Sequence, residues 1–177
     1  MEIYNDQILA VNPSDVINGT VQIPQNIKAI GRLAFINLSN LTNIIIPKNI
    51  KFVGTAAFRN CVNLKVCQFE NQDCLLGSMI FSGCSNLRYI ILPNKLTYLP
   101  AYTFESCSSL TDILLPDSIF KIEDYAFKNC FSLEQLTIPN EIFSINQKQF
   151  KNCKKLNLKF HNHLYSYDDL ECYDELF

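Results

Sequence analysis

Ile113-Leu-Leu-Pro-Asp-Ser-Ile-Phe-Lys-Ile-Glu-Asp-Tyr-Ala-Phe-Lys-Asn-Cys-Phe-Ser-Leu-Glu-Gln135 is one unit of a pattern that returns every 23 residues. Its cysteine belongs to the series Cys61, Cys84, Cys107, Cys130 and Cys153. Phe58, Phe81, Phe104, Phe127 and Phe150 each stand three residues earlier, and Phe35 extends that series upstream. Leu64, Leu87, Leu110, Leu133 and Leu156 each trail a cysteine by three, with Leu41 one period before them. A fixed period of this length is the mark of a solenoid. Six units align without a gap: 21–43, 44–66, 67–89, 90–112, 113–135 and 136–158. No single coil buries its own apolar face; its neighbours do.

Each position in the unit has a physical reason. In Leu41-Thr-Asn-Ile-Ile-Ile46 the alternation is that of a short strand, with Ile44 and Ile46 facing the core and Ile45 facing out. Pro24, Pro47, Pro93, Pro116 and Pro139 follow the strand. Proline has no N–H, so it ends the sheet ladder at the same place in each coil. The third unit carries Glu70 there and has the weakest alternation, which marks it as the expected distorted coil. A second apolar pair follows, as in Ile50 and Val53 or Ile119 and Ile122. Gly31, Gly54 and Gly77 share one turn position, where a left-handed backbone would be cheap. Pro100, Glu123 and Asn146 occupy it later, so that conformation is not obligatory. Phenylalanines stacked at the coil rise would sit within the favoured ring spacing of about 4.5–7 Å.

The ends read differently. Residues 1–20 are expected to form an N-terminal cap, 21–158 the six repeats and 159–177 a C-terminal cap. Leu156-Asn-Leu-Lys-Phe160 keeps the strand alternation, and Ser166-Tyr-Asp-Asp169 reads as a capping box opening a short acidic helix to Phe177. Leu170, Tyr173 and Phe177 fall near one face of that helix, suited to covering the last coil.

Composition excludes several classes of function. The net charge of −2 offers no basic field for nucleic acid. No apolar run approaches the roughly 18 residues that cross a bilayer, and the first residues do not read as a secretory signal. Eight cysteines in 177 residues invite a disulfide framework. The spacing argues against it: equivalent residues of stacked coils stand about 4.8 Å apart with parallel side chains, while a disulfide needs Cβ atoms at about 3.8 Å. Reduced, buried thiols are the expectation. The triplets at Asn18, Asn37 and Asn40 match the glycosylation pattern and are read as chance in an asparagine-rich chain.

The recurring Ile-Pro, the pairs Ala34-Phe35, Ala57-Phe58 and Ala126-Phe127, the pairs Asn60-Cys61, Asn129-Cys130 and Asn152-Cys153, and the trailing leucine together resemble the BspA-like, Treponema-type leucine-rich repeats. The lead-in Leu9-Ala-Val-Asn-Pro-Ser-Asp-Val-Ile-Asn-Gly19 is similar to theirs, and the likeness covers residues 8–158. It implies an α/β repeat solenoid. That is a right-handed leucine-rich-repeat coil with a parallel β-sheet, short irregular or helical returns and a small C-terminal helical cap. It also implies binding rather than catalysis.

The cysteine ladder shows no ligand pair two to four residues apart, as zinc sites do, so no metal is expected. Cys67 takes a core strand position, and Cys74, just before Leu75-Leu76, is a candidate for exposure. His161, His163, Asp168, Asp169 and Cys172 form the one local cluster of reactive types, in no recognised spacing; a solvated capping segment is the expectation. No phosphate loop, dinucleotide motif or nucleophile elbow occurs, so neither enzyme activity nor a cofactor is expected.

The outward strand positions are the candidate site. In successive coils they read Thr20 and Gln22, Asn43 and Ile45, Val66 and Gln68, Tyr89 and Ile91, Asp112 and Leu114, Gln135 and Thr137. Ile45, Val66, Tyr89, Ile91 and Leu114 would form an exposed apolar band, with Lys65 and Arg88 on one side and Asp112 and Glu134 on the other. Apolar patches with charged rims mark interfaces, unless loops cover them. The expectation is a chain, monomeric when free, that binds another protein through Ile45, Val66, Gln68, Arg88, Tyr89, Ile91, Asp112, Leu114 and Gln135. Two further settings remain open. One is a bacterial effector or antagonist of an effector, cytoplasmic or delivered into a host by a non-classical route, for which the acidic tail Asp168, Asp169, Glu171, Asp174 and Glu175 speaks. The other is a cell-surface adhesin or antigen.

Overall fold

The structure, a computed structural model, describes residues 1–171. It is a solenoid whose coils each contribute to three ladders. The front ladder holds Asn43–Ile46, Val66–Phe69 and Tyr89–Ile91, paired in parallel with Ile44 opposite Cys67 and Cys67 opposite Ile90. Those partners are 23 residues apart, so the register is the sequence period itself. The ladder resumes with Gln135–Thr137 and Asn157–Phe160. The side ladder pairs Gln7–Ala10, Ala29–Ile30, Phe52–Val53 and Leu75–Leu76 in parallel, and separately Tyr98–Leu99 with Lys121–Ile122. Between them the proline carbonyls close the corner: those of Pro47 and Pro116 accept from Ile50 and Ile119 N–H at 3.0 and 3.1 Å.

The third side is a turn ladder. In residues 56–61 the N–H groups of Ala56, Phe58 and Asn60 donate to the next coil, at 2.8–3.0 Å. Those between them, of Ala57, Arg59 and Cys61, donate three residues back within their own coil. That alternation requires two left-handed residues per coil. Leu33, Ala56, Met79, Tyr102 and Tyr125 take the first place at φ between 56° and 62°. Asn37, Asn60, Gly83, Ser106, Asn129 and Asn152 take the second. Asparagine and glycine tolerate this region best, which accounts for the recurring asparagine before cysteine. The asparagines also bond one another along the stack, Asn60 to Asn37 at 3.1 Å and Asn152 to Asn129 at 2.7 Å.

Inside, the six phenylalanines from Phe35 to Phe150 form one column with ring centroids 4.6–5.7 Å apart, all fully buried. Beside it run the cysteines. Each Sγ donates to the carbonyl of the phenylalanine 26 residues earlier, Cys84 to Phe58 at 3.1 Å and Cys107 to Phe81 at 3.2 Å. The same carbonyl accepts the N–H of its own coil's cysteine, so both lone pairs are used. All seven described cysteines are free and buried.

Several expectations need correction. Gly31, Gly54 and Gly77 do not adopt a positive φ; they are places of close approach, since a Cβ on Gly54 or Gly77 would lie 2.6 Å from backbone nitrogen of the preceding coil. The third unit is not the distorted one: Val66–Phe69 pairs on both edges. Asn71 there donates to the Ile50 carbonyl and accepts from Asp73 N–H, making the corner that proline makes elsewhere. Cys74 is buried, not exposed. Thr20 and Gln22 lie outside the strands, with Thr20 in an isolated bridge to Ile17. The returns are irregular as expected, made of turns and two-residue strands with a 3-10 turn at Gln147–Phe150; among the described residues the one α-helix is Tyr167–Glu171.

Both ends close on antiparallel hairpins. Glu2–Tyr4 pairs with Gln7–Ala10 across Asn5-Asp6, and Asn157–Phe160 with His163–Ser166 across His161-Asn162. Both turn pairs have φ between 45° and 65°, the two-residue turn that suits strand twist. Ser166 and Asp169 cap the last helix reciprocally, with Ser166 N–H donating to the Asp169 carboxylate at 2.7 Å. Tyr167 and Leu170 are buried against the last coil. Cys172, Tyr173, Asp174, Glu175 and Phe177 lie outside the described residues.

Candidate functional site

Strand alternation fixes which side chains leave the front ladder. Ile44, Ile46, Cys67, Phe69, Ile90 and Leu92 point inward and are buried. Ile45, Tyr89, Ile91 and Leu114 point outward and are exposed, Leu114 at 85%. Among the described residues no loop covers them. Val66 and Gln68 are half-buried, and Arg88, Asp112 and Gln135 are exposed. Val66 stands opposite Tyr89, and Gln68 opposite Ile45 and Ile91. The apolar band is therefore divided, with Gln68 set between two isoleucines. Its larger part is at Tyr89, Ile91 and Leu114.

That part is a groove. The front ladder parts between Tyr89–Ile91 and the coil of Asp112–Pro116, where among the described residues the only pairing is the bridge of Asp112 to Gln135. The resulting space, about 350 Å³, is lined by Arg88, Tyr89, Ile91, Asn94, Asp112 and Leu114 among others. Its walls are apolar, and Arg88 and Asp112 stand on opposite walls at the end where the strands begin. Neither Lys65 nor Arg88, Asp112 or Glu134 is in an ion pair among the described residues; Asp112 accepts from Thr111 Oγ1 at 2.9 Å. These charges are solvated and free to meet a partner. The groove is the feature the sequence does not announce, because Ile113-Leu-Leu-Pro116 reads as well for a strand as Ile90-Ile-Leu-Pro93.

Among the described residues near the C-terminus, the reactive side chains are taken up locally, and Cys172 lies outside those residues. His161 stacks on Phe160 at 4.0 Å, the carbonyl of His161 faces His163 Nδ1 at 3.0 Å, and Asp169 is taken by Ser166. Among the described residues no group of three or more His, Cys, Asp or Glu is placed to hold a metal. Burial pushes the Cys61 and Cys74 thiols up to about 12, and those of Cys67, Cys84 and Cys130 well above their ordinary value. A thiol so placed is a poor nucleophile at neutral pH. No helix among the described residues is long and apolar enough to cross a membrane.

Comparison with known proteins agrees with this architecture. Residues 17–130 match the BspA type leucine rich repeat region, in six copies. No curated protein matches the chain. A leucine-rich repeat protein from Bacteroides ovatus is 29% identical, with a TM-score of 0.71 over 78% of this chain and 36% of that one. A leucine-rich repeat protein from Eubacterium ventriosum is 28% identical, with a TM-score of 0.67 over 76% and 36%. The T. pallidum leucine rich repeat protein is 24% identical, with a TM-score of 0.74 over 82% and 70%. The chain thus spans about a third of the Bacteroides and Eubacterium proteins. It belongs to the BspA-type leucine-rich repeat family.

Proposed function

We propose that this chain is a protein-binding module whose docking site is the groove between Tyr89–Ile91 and Asp112–Leu114. The single observation that carries the reading is that the front ladder opens where its exposed apolar side chains are densest. A preformed surface on rigid coils loses little order on binding. Tyr89, Ile91 and Leu114 form the apolar centre, and Arg88 and Asp112 set the orientation of the partner. Tyrosine and arginine are both among the residue types enriched at interface hot spots. Ile45, Val66, Gln68 and Gln135 serve as the surrounding contacts.

The test is affinity capture with mass spectrometry, run with the wild-type chain and with Tyr89→Ala/Leu114→Ala. Both residues are exposed, so neither change opens the core. The reading predicts a protein captured by the first bait and lost from the second. A His163→Ala bait should retain it. Equal capture by the wild-type and groove-altered baits, with loss from the His163 bait, would place the site in the C-terminal hairpin instead.

A further inference from the structure

The side ladder carries a second exposed apolar row that the groove does not use. Phe52 stands opposite Leu75 in the parallel register, and Tyr98 takes the same place one coil on. All three are exposed, Leu75 at 63%. Phe120 and Phe143 continue the row one residue to the side, exposed at 53% and 81%. This surface lies on a different side of every coil from the front face, beyond the proline corner.

Its charges are sorted by end. Lys28, Arg32 and Lys51 flank the first coils, and Asp117, Asp124 and Glu141 the last. All six are exposed, and none is in an ion pair among the described residues. The charged residues nearer the middle, Lys95 with Asp73 and Lys121 with Glu123, are already paired, at 3.1 and 3.6 Å. The free charges at the two ends are therefore of mainly opposite sign, with Asp6, in line with Lys28, the one acidic exception at the first end, and the apolar row lies between them.

We infer that the side face is self-complementary and pairs with a second copy of this chain, the two solenoids running antiparallel. A two-fold axis lying in the interface across the strand of Leu75 keeps each residue in its own column and exchanges coil for coil. Arg32 and Asp124 share a column and stand four periods apart, so each Arg32 meets Asp124 of the second copy. Phe52 meets Tyr98 of the second copy, and Leu75 meets itself on the axis. Lys28 lies over Phe120 of the second copy, a cation on an aromatic face. A partner of a single charge could satisfy only one end; a second copy satisfies both with the same contact. This replaces the free monomer expected from the sequence.

Sedimentation equilibrium tests it. The wild-type chain should approach twice 20.3 kDa as concentration rises. Leu75→Lys, which sets two ammonium groups against each other on the axis, should sediment at 20.3 kDa with an unchanged circular dichroism spectrum. Arg32→Glu should also lose the dimer, and Arg32→Glu/Asp124→Lys should regain it with itself but not with wild type. Tyr89→Ala/Leu114→Ala should leave it intact. A wild-type mass of 20.3 kDa at every concentration would overturn the inference, as would a dimer that survives Leu75→Lys or is lost with the groove variant.

Discussion

At the scale of single residues, the cysteines show how an apolar position can also do polar work. A phenylalanine carbonyl in the coil interior has two lone pairs and one backbone donor of its own; the thiol of the next coil supplies the second. Each of these thiols is fully buried, and burial pushes those of Cys61, Cys84 and Cys130 up. Cys61, Cys84, Cys107, Cys130 and Cys153 should therefore stay reduced and resist labelling until the chain is denatured; rapid labelling of the native protein would contradict this. The same burial makes stability depend on pH. Unfolded, the thiols ionise near their ordinary 9.0, whereas Cys61 and Cys74 folded hold their protons to about 12. Their contribution is full below pH 9 and falls as pH rises through that window, by about 1.4 kcal/mol per pH unit for each thiol. Urea midpoints measured between pH 8 and 10.5 should decline, and a flat profile would mean that the thiols are solvated. The phenylalanine column gives a second test. Phe104 and Phe127 are fully buried between flanking coils, which limits collapse into a gap. Replacing either by alanine should cost roughly 3–5 kcal/mol in denaturant melts, and a loss under about 1 kcal/mol would show the ring outside the core.

At the scale of elements, the turn ladder is where backbone conformation is most demanding. Ser106 holds φ 61° at a place where four other coils use asparagine, and it accepts a 3.4 Å contact from Asn129. Ser106→Asn should stabilise the protein by about 0.5–1 kcal/mol, since asparagine tolerates this region and would extend the ladder of side-chain amides. An unchanged or lowered melting temperature would argue that the ladder contributes nothing. Much of this element was legible as period and little as mechanism. The 23-residue spacing of Phe, Cys and Leu sets the register of the inner parallel strands, because stacked coils pair like with like, while the ladders at the two ends, Gln7 with Ala29 and Gln135 with Asn157, pair 22 residues apart. Gly31, Gly54 and Gly77 suggest the left-handed turn position, which lies instead in the turn ladder at the asparagine column and at the Leu33–Tyr125 column, because a glycine can equally mark a close approach. The closing hairpins were also hidden, although Asn5-Asp6 and His161-Asn162 between alternating runs carry the signal of a two-residue turn. The outward positions of the candidate site followed from alternation; the groove did not, since no residue in Asp112–Leu115 forbids the strand that fails to form there.

At the scale of the whole molecule, the solenoid separates stability from recognition. Core contacts run along the axis from coil to coil, while the front and side faces carry side chains that the core does not need. Changes to Tyr89, Leu114 or Leu75 should therefore alter association and leave the fold in place. The central claim is that a partner seats in the groove between Tyr89–Ile91 and Asp112–Leu114. Hydrogen–deuterium exchange of the captured complex against the free chain reads this directly, because the open edge leaves its amides without ladder partners. Binding should slow exchange in peptides covering residues 88–92 and 111–115 and leave 159–171 unchanged. Protection confined to 159–171, with the groove peptides exchanging as in the free chain, would contradict it.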